Sequence, residues 1–296
     1  MSNRWRRAVV ALLVAFAVPA RAADFMPCGL QAAPPATYEH VVWVWFENHG
    51  FDQIVGSREA AFFNRTLIPA CGLSTNYQTI THPSLPNYIA ATSGLSGDAL
   101  GPFGHDCNAV GPCRIGAASL FEQAQSWGAY AESMRRPCTH WFTGLYAASH
   151  NPAVYYRNLA DCGDRAVNLR GLKRDLEEDT LPAFAFVTPN MCHSMHNCSV
   201  ASGDAWLRRL MRQLVDSAAY RRGGMAIVVT FDESDKDGGD TRLATVVVSP
   251  STVPGTRVGT RFDHYALLRT TEELLGIPEH LGRAVRARSM RAAFNF

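Results

Sequence analysis

The run from His40 to Phe46 reads HVVWVWF and is followed at once by Glu47, Asn48 and His49. Every residue from Val41 to Phe46 is β-branched or aromatic, so both faces of an extended chain are apolar there. Such a run predicts a strand buried on both sides, as in parallel sheets covered by helices. Working outward, Ser74–Ile80, Ala183–Thr188, Met225–Phe231 and Leu243–Ser249 read as further strands. Residues 57–67, Ser84–Thr92, Ala117–Trp127, Gly203–Tyr220 and His264–Leu275 read as helices. Pro86 fits a first helical turn, and Trp206, Leu207, Leu210, Met211 and Leu214 recur at helical spacing. Residues 95–116 and 135–165 read as loops. Strands alternating with helices predict an α/β fold, a three-layer α/β/α sandwich around a largely parallel sheet. Ligands in such folds sit beyond the carboxyl ends of the strands.

The chain has 296 residues, 47% hydrophobic and 18% charged, which excludes a disordered protein. Its formal net charge is +2, but Arg4, Arg6, Arg7 and Arg21 lie in the first 22 residues with no acid. The remaining body carries 24 basic and 26 acidic residues, which argues against a nucleic-acid partner. Residues 1–7 are basic, Ala8–Val18 is uncharged, and Ala20-Arg21-Ala22 offers small residues for cleavage. This is the pattern of a signal peptide over 1–22. Its apolar run spans only about 16 Å as a helix, short of a ~30 Å hydrocarbon core. We therefore expect a periplasmic or secreted product, one domain over 23–296, with no transmembrane segment. No amphipathic membrane-binding segment stands out either.

Eight cysteines without any Cys-x-x-Cys pair favour disulfides over a thiolate zinc site. Sequence does not fix their connectivity; the expected pairs are 28–71, 107–113, 138–162 and 192–198.

Four strand ends carry polar groups. Glu47-Asn48-His49 follow the first strand, Thr81-His82-Pro83-Ser84 the second, Asn190, His193 and His196 the third, and Asp232-Glu233 the fourth. Carboxylates from separate strands repel in a low dielectric, and a cation is the usual remedy. Glu47, Asp232 and Glu233, with an Asn amide oxygen and a Ser oxygen, form an all-oxygen set suited to one hard divalent ion. Such an ion would acidify Ser84 into a nucleophile. Ser84 also falls near a helix N-terminus, where backbone N–H groups favour an anion such as phosphate.

Glu47-Asn48-His49-Gly50-Phe51-Asp52 resembles the opening motif of the bacterial phosphoesterase family of acid phosphatases and phospholipases C, within the alkaline phosphatase superfamily. The likeness continues, in order, through His82-Pro83-Ser84-Leu85-Pro86-Asn87-Tyr88, His150-Asn151-Pro152, Thr188-Pro189-Asn190, Gly203-Asp204-Ala205-Trp206-Leu207, Asp232-Glu233-Ser234 and His264-Tyr265. The resemblance implies an alkaline-phosphatase-like fold and a phosphoseryl intermediate on Ser84. It implies Glu47, Asn48, Ser84, Asp232 and Glu233 as metal ligands and Asn87 as oxyanion donor. His150, His193, His196 and His264 would then face the phosphate or leaving group. Two-metal relatives carry an acid and a histidine where this chain has Ser194 or Asn197 and Glu233, so one metal of unknown identity is expected.

The first functional expectation is an exported, metal-dependent phosphomonoesterase acting on small phosphate esters. The alternative is a phospholipase C cleaving phospholipid headgroups, which would use the same machinery. A catalytically silent secreted binding protein is a third reading, opposed by the intact acid and serine set. Tyr88 stands where a sulfatase modification motif needs Arg. Asp235, Asp237 and Asp240 resemble part of a calcium loop, but their spacing is off and a solvated turn is expected.

Overall fold

The computed structural model describes residues 25–234 and 241–296. The expected signal segment and the DESDKDGGD turn from Asp235 onward lie outside the described residues.

The decisive run is β1 (His40–Phe46), with Val41 to Phe46 wholly buried. The other strands are β2 (Gly72–Gln78), β3 (Trp127–Ala131), β4 (Ala166–Asn168), β5 (Phe184–Thr188), β6 (Met225–Phe231), β7 (Arg242–Val248), β8 (Thr256–Val258) and β9 (Phe262–Asp263). Among the described residues they form one nine-stranded sheet in the order β4-β3-β5-β1-β6-β7-β2-β8, with β9 also pairing β2. β1 runs parallel to both neighbours, Val42 lying opposite Ala185 of β5 and Ile227 of β6. The largely parallel sheet carries one reversed strand, since β7 is antiparallel to both β6 and β2.

Alternation along β1 builds the layers. Trp43 donates its indole N–H to Thr271 of the His264–Leu274 helix at 2.9 Å. Trp45, on the same face, lies 4.9 Å from the Tyr88 ring of the Ser84–Ser93 helix and 4.7 Å from His264. Phe46 points the other way, 5.8 Å from Trp206 of the Val200–Val215 helix. Helices thus cover both faces, and the three-layer α/β/α sandwich follows.

Some element boundaries differ from expectation. In place of a helix over Ala117–Trp127, only Leu120–Gln123 is helical, and Trp127 opens β3. WGAYA is short and built largely of small residues, so pairing with β5 decides its state rather than its own periodicity. The helix expected to reach Tyr220 stops at Val215, because Ser217 Oγ accepts the Tyr220 N–H at 3.2 Å and opens a separate turn, Ala218–Arg221. All four expected disulfides are present, 28–71, 107–113, 138–162 and 192–198. No described helix is long and apolar enough to cross a membrane.

Asp204, buried on the Val200–Val215 helix, accepts the backbone N–H groups of Phe62 and Phe63 at 2.8 and 2.9 Å. It thereby fastens the helical turns of residues 61–70 onto the sandwich. Asp204→Ala strands two buried donors, and we expect it to cost about 2–3 kcal/mol in urea unfolding. A loss within error of zero would refute this role.

Candidate active site

Sheet register places the central pair of carboxylates. Phe46 and Phe231 lie opposite each other at the ends of β1 and β6, so Glu47 and Asp232 leave neighbouring strands side by side. The Asp232 N–H donates to the Phe46 carbonyl at 3.1 Å and continues that ladder one step. Both carboxylates are fully buried.

Ser84 opens its helix, and its hydroxyl donates to Glu47 Oε2 at 3.0 Å. Tyr88, one turn on, donates its hydroxyl to Glu47 Oε1. The His150 ring stacks on Tyr88 at 5.7 Å and 8°, with Nε2 3.2 Å from Glu47 Oε2. Burial, then repulsion from Asp232, pushes the Glu47 carboxyl well above its ordinary value. Burial pushes His150 down to about 3, so its approach to Glu47 joins a neutral imidazole to a carboxyl rather than forming an ion pair.

Asp232 accepts the Asn48 N–H on Oδ1 at 3.1 Å. Its Oδ2 is buried without a hydrogen-bond partner. Burial raises Asp232 to about 6, although Ser84 and the Asn48 N–H pull it down. Two buried carboxyls whose proton affinity burial raises, one with an orphaned oxygen, suit a divalent cation. The fit covers Glu47, Asp232 and Ser84. Glu233 turns elsewhere: its Oε2 lies 2.9 Å from His82 Nδ1 and 3.4 Å from Asn87 Nδ2. Among the described residues the three acids do not bring ligand oxygens within 4.8 Å of one another. His105, Cys107 and Cys113 do converge that closely, but the two cysteines are bonded to each other.

Other expected residues hold the site from behind. Asn87 does not present a free amide. Its Oδ1 accepts from the Ile80 and Thr81 N–H groups at 3.2 and 3.1 Å, and its Nδ2 donates to the Thr81 and Pro83 carbonyls at 2.8 and 3.1 Å. It clamps the 79–83 loop that delivers Ser84. His264, expected at the phosphate, is fully buried, with Nε2 2.7 Å from the Asp232 carbonyl and Nδ1 3.1 Å from the Tyr77 hydroxyl. Burial pushes it down to about 4. It positions the Asp232 backbone. His49 stays in its turn, 2.8 Å from the Glu47 carbonyl.

His193 and His196 sit on the turn after β5. The His193 Nδ1 lies 2.8 Å from Glu132 Oε2. Gly203 permits the helix behind to approach this turn, since a Cβ there would stand 2.8 Å from the His193 carbonyl. His196 is exposed, its ring 5.9 Å from that of His150. Tyr88, His82, Glu132 and Asp106 went unassigned from sequence. Tyr88 was within reach, being four residues beyond Ser84 on one helical face. Glu132 follows β3, whose strand character the sequence hid. Asp106 gave no signal, yet its carboxylate accepts the Leu85 N–H at 3.0 Å. That contact shows the helix N-terminus receiving an anionic oxygen.

The family model described as Phosphoesterase family matches residues 57–278. The chain is 29% identical over 274 residues to the phosphatidylinositol-3-phosphatase of Mycobacterium tuberculosis, covering 92% of this chain and 88% of that one. It is 29% identical over 257 residues to the acid phosphatase of Aspergillus fumigatus, covering 81% of this chain but only 55% of the fungal protein. Among solved structures, a Vibrio parahaemolyticus protein of the alkaline phosphatase superfamily superposes with a TM-score of 0.57 at 14% identity, over 92% of this chain and 77% of that one. That likeness establishes an alkaline-phosphatase-like fold.

Below about pH 6, metal loading should displace protons from Glu47 and Asp232. Calorimetry in buffers of different ionisation enthalpy should therefore show proton release on adding a divalent ion, lost in Glu47→Gln. Because Asp232 rises from 3.8 to about 6, its native form holds extra protons across that window. Its contribution to stability is present below 3.8 and declines as pH rises through about 6. Bound metal should remove the decline, and a chelator should restore it.

Proposed function

The chain belongs to the phosphoesterase family, and from that premise we propose that it hydrolyses phosphate esters, phosphomonoesters foremost, with Ser84 as nucleophile. The carrying observation is the Ser84 hydroxyl, at the start of a helix and 3.0 Å from Glu47 Oε2. The exported localisation and the single divalent ion belong to the same reading; four disulfides support export.

Ser84 Oγ attacks phosphorus in the state in which Glu47 has lost its own proton, so the Ser84 proton leaves along the hydrogen bond to Glu47. The P–O bond to the alcohol breaks, and the alcohol takes up a proton. His150 at about 3 has no proton to give near neutrality, which leaves His196 at the exposed rim as the donor. Water then attacks the phosphoseryl group, the Ser84 O–P bond breaks, and Ser84 regains its proton. Backbone N–H groups at the helix start bind the phosphoryl oxygens, the Leu85 N–H once the substrate displaces Asp106 from it. A divalent ion held by Glu47, Asp232 and Ser84 would lower the hydroxyl's pKa and balance phosphate charge. Tyr88, His264 and Asn87 keep Glu47, Asp232 and the Ser84 loop in register.

One observation favours a narrower substrate. The relative that the chain matches along nearly its whole length is named for a phosphatidylinositol 3-phosphate headgroup, itself a phosphomonoester. A phospholipase C would instead cleave the diester, with the same nucleophile.

Turnover of a chromogenic phosphomonoester, a phosphoinositide and a phosphocholine diester, each with and without chelator, separates these readings. We expect chelator-sensitive monoester turnover, reduced at least about a thousandfold in Ser84→Ala. Faster diester cleavage would shift the assignment to a phospholipase C. No turnover of any of the three from acid to alkaline pH would overturn the enzyme reading.

A further inference from the structure

Seven large apolar side chains are exposed among the described residues, and three of them fall within five positions: Trp141, Phe142 and Leu145, at 54%, 42% and 45%. The two aromatics are the exposed aromatics of the described chain. Scattered apolar residues need no explanation; a contiguous tip does.

The tip is held rigidly. Thr143 and Tyr146 exchange backbone hydrogen bonds at 3.0 and 3.1 Å, closing a tight turn. Tyr146 is buried in a small core of its own with Ala131, Met134 and Ala148. The Phe142 N–H donates to Asn108 Oδ1 at 3.0 Å, and the Cys138–Cys162 disulfide pins the base. Tyr146 turns inward while Trp141, Phe142 and Leu145 project outward from a fixed frame.

The surroundings are basic. Residues 133–160 contain Arg135, Arg136 and Arg157 and no acid. A groove of about 590 Å³ runs beside the tip, lined by Arg135, Leu145, Asn168 and Arg170 among others. Arg135, Arg136 and Arg170 are all exposed. The tip also lies at the catalytic edge of the sheet. The Leu145 carbonyl accepts the Met191 N–H at 2.9 Å, on the turn that bears His193 and His196.

We propose that the Trp141–Leu145 tip inserts into the interfacial zone of an anionic phospholipid surface, its arginines resting on lipid phosphates. Tryptophan suits that zone, its ring apolar and its indole N–H polar, while phenylalanine and leucine supply apolar surface to bury. Arginines flanking an apolar tip add attraction for acidic headgroups. A protein partner is the competing occupant, but a small apolar tip beside a groove lined by arginines and no acid matches a lipid surface in charge and depth. The surface eluded sequence reading because its residues follow neither a helical nor a strand period. That bound lipid is also presented for hydrolysis rests on the phosphoester reading above; the docking itself does not.

The test is co-sedimentation of the disulfide-intact chain with phosphatidylcholine vesicles, with and without phosphatidylserine. We expect binding to the mixed vesicles, weakened by salt and reduced at least about tenfold in W141S/F142S/L145S. Of the five described tryptophans Trp141 is the exposed one, so brominated lipid should quench fluorescence in the parent and not in the conservative Trp141→Phe variant. That second measurement stands even if the triple variant misfolds. Ser84→Ala should sediment like the parent, so a failure of catalysis and a failure of docking are read separately. A parent chain that stays in the supernatant, a triple variant that binds equally well, or quenching that survives Trp141→Phe would overturn the proposal. So would a self-association that the triple variant abolishes with vesicle binding intact.

Discussion

Two carboxylates share one buried volume at the ends of adjacent parallel strands. Glu47 and Asp232 reach it because Phe46 and Phe231 are in register, and each is close enough to bear on the other's charge. Like charges so placed cannot both ionise in a low dielectric without a counter-charge. Burial accordingly raises the proton affinity of both carboxyls, and Asp232 Oδ2 is left without a partner. Most nearby polar contacts serve to keep this arrangement fixed. Tyr88 and Ser84 divide the two oxygens of Glu47, the Asn48 N–H holds Asp232, and His264 grips the Asp232 carbonyl.

The Ser84–Ser93 helix converts that constraint into a reactive geometry. Its first residue is the hydroxyl donor, its fourth clamps the preceding loop, and its fifth reaches back to the same carboxylate as the first. Residues four apart on a helix lie on one face, so a single rigid element supplies both Ser84 and its Tyr88 counterpart. Packing of Tyr88 against Trp45 ties the helix to β1, the strand that carries Glu47. Ser84 and Glu47 are thus positioned by the same contact between layers.

The histidines divide into two populations for the same physical reason. His150 and His264 are buried, held neutral by desolvation, and act through hydrogen bonds to protein groups. His193 and His196 stand on a turn at the rim, one braced by Glu132 and the other open to solvent. Of the four, His196 alone is exposed, and a group without access to water exchanges protons slowly and at energetic cost.

The sequence alone determined the elements whose residues announce themselves. HVVWVWF has no polar face and could only be a covered strand; polar clusters after four apolar runs marked the sheet edge where Glu47, Ser84 and Asp232 stand; paired Cys spacing favoured disulfides. Tertiary structure decided what depends on partners. WGAYA became β3 only by pairing with β5, which hid Glu132. Asn87, His264 and Glu233 carried the residue types of a phosphate site, but their side chains turned to the 79–83 loop, to Tyr77 and to His82. Asp106 reached the helix N-terminus from a loop 21 residues away. Local pattern reports which face of an element is apolar. It does not report where a polar side chain finds its hydrogen-bond partner, because that choice is made among groups distant in the chain once the backbone has closed around them.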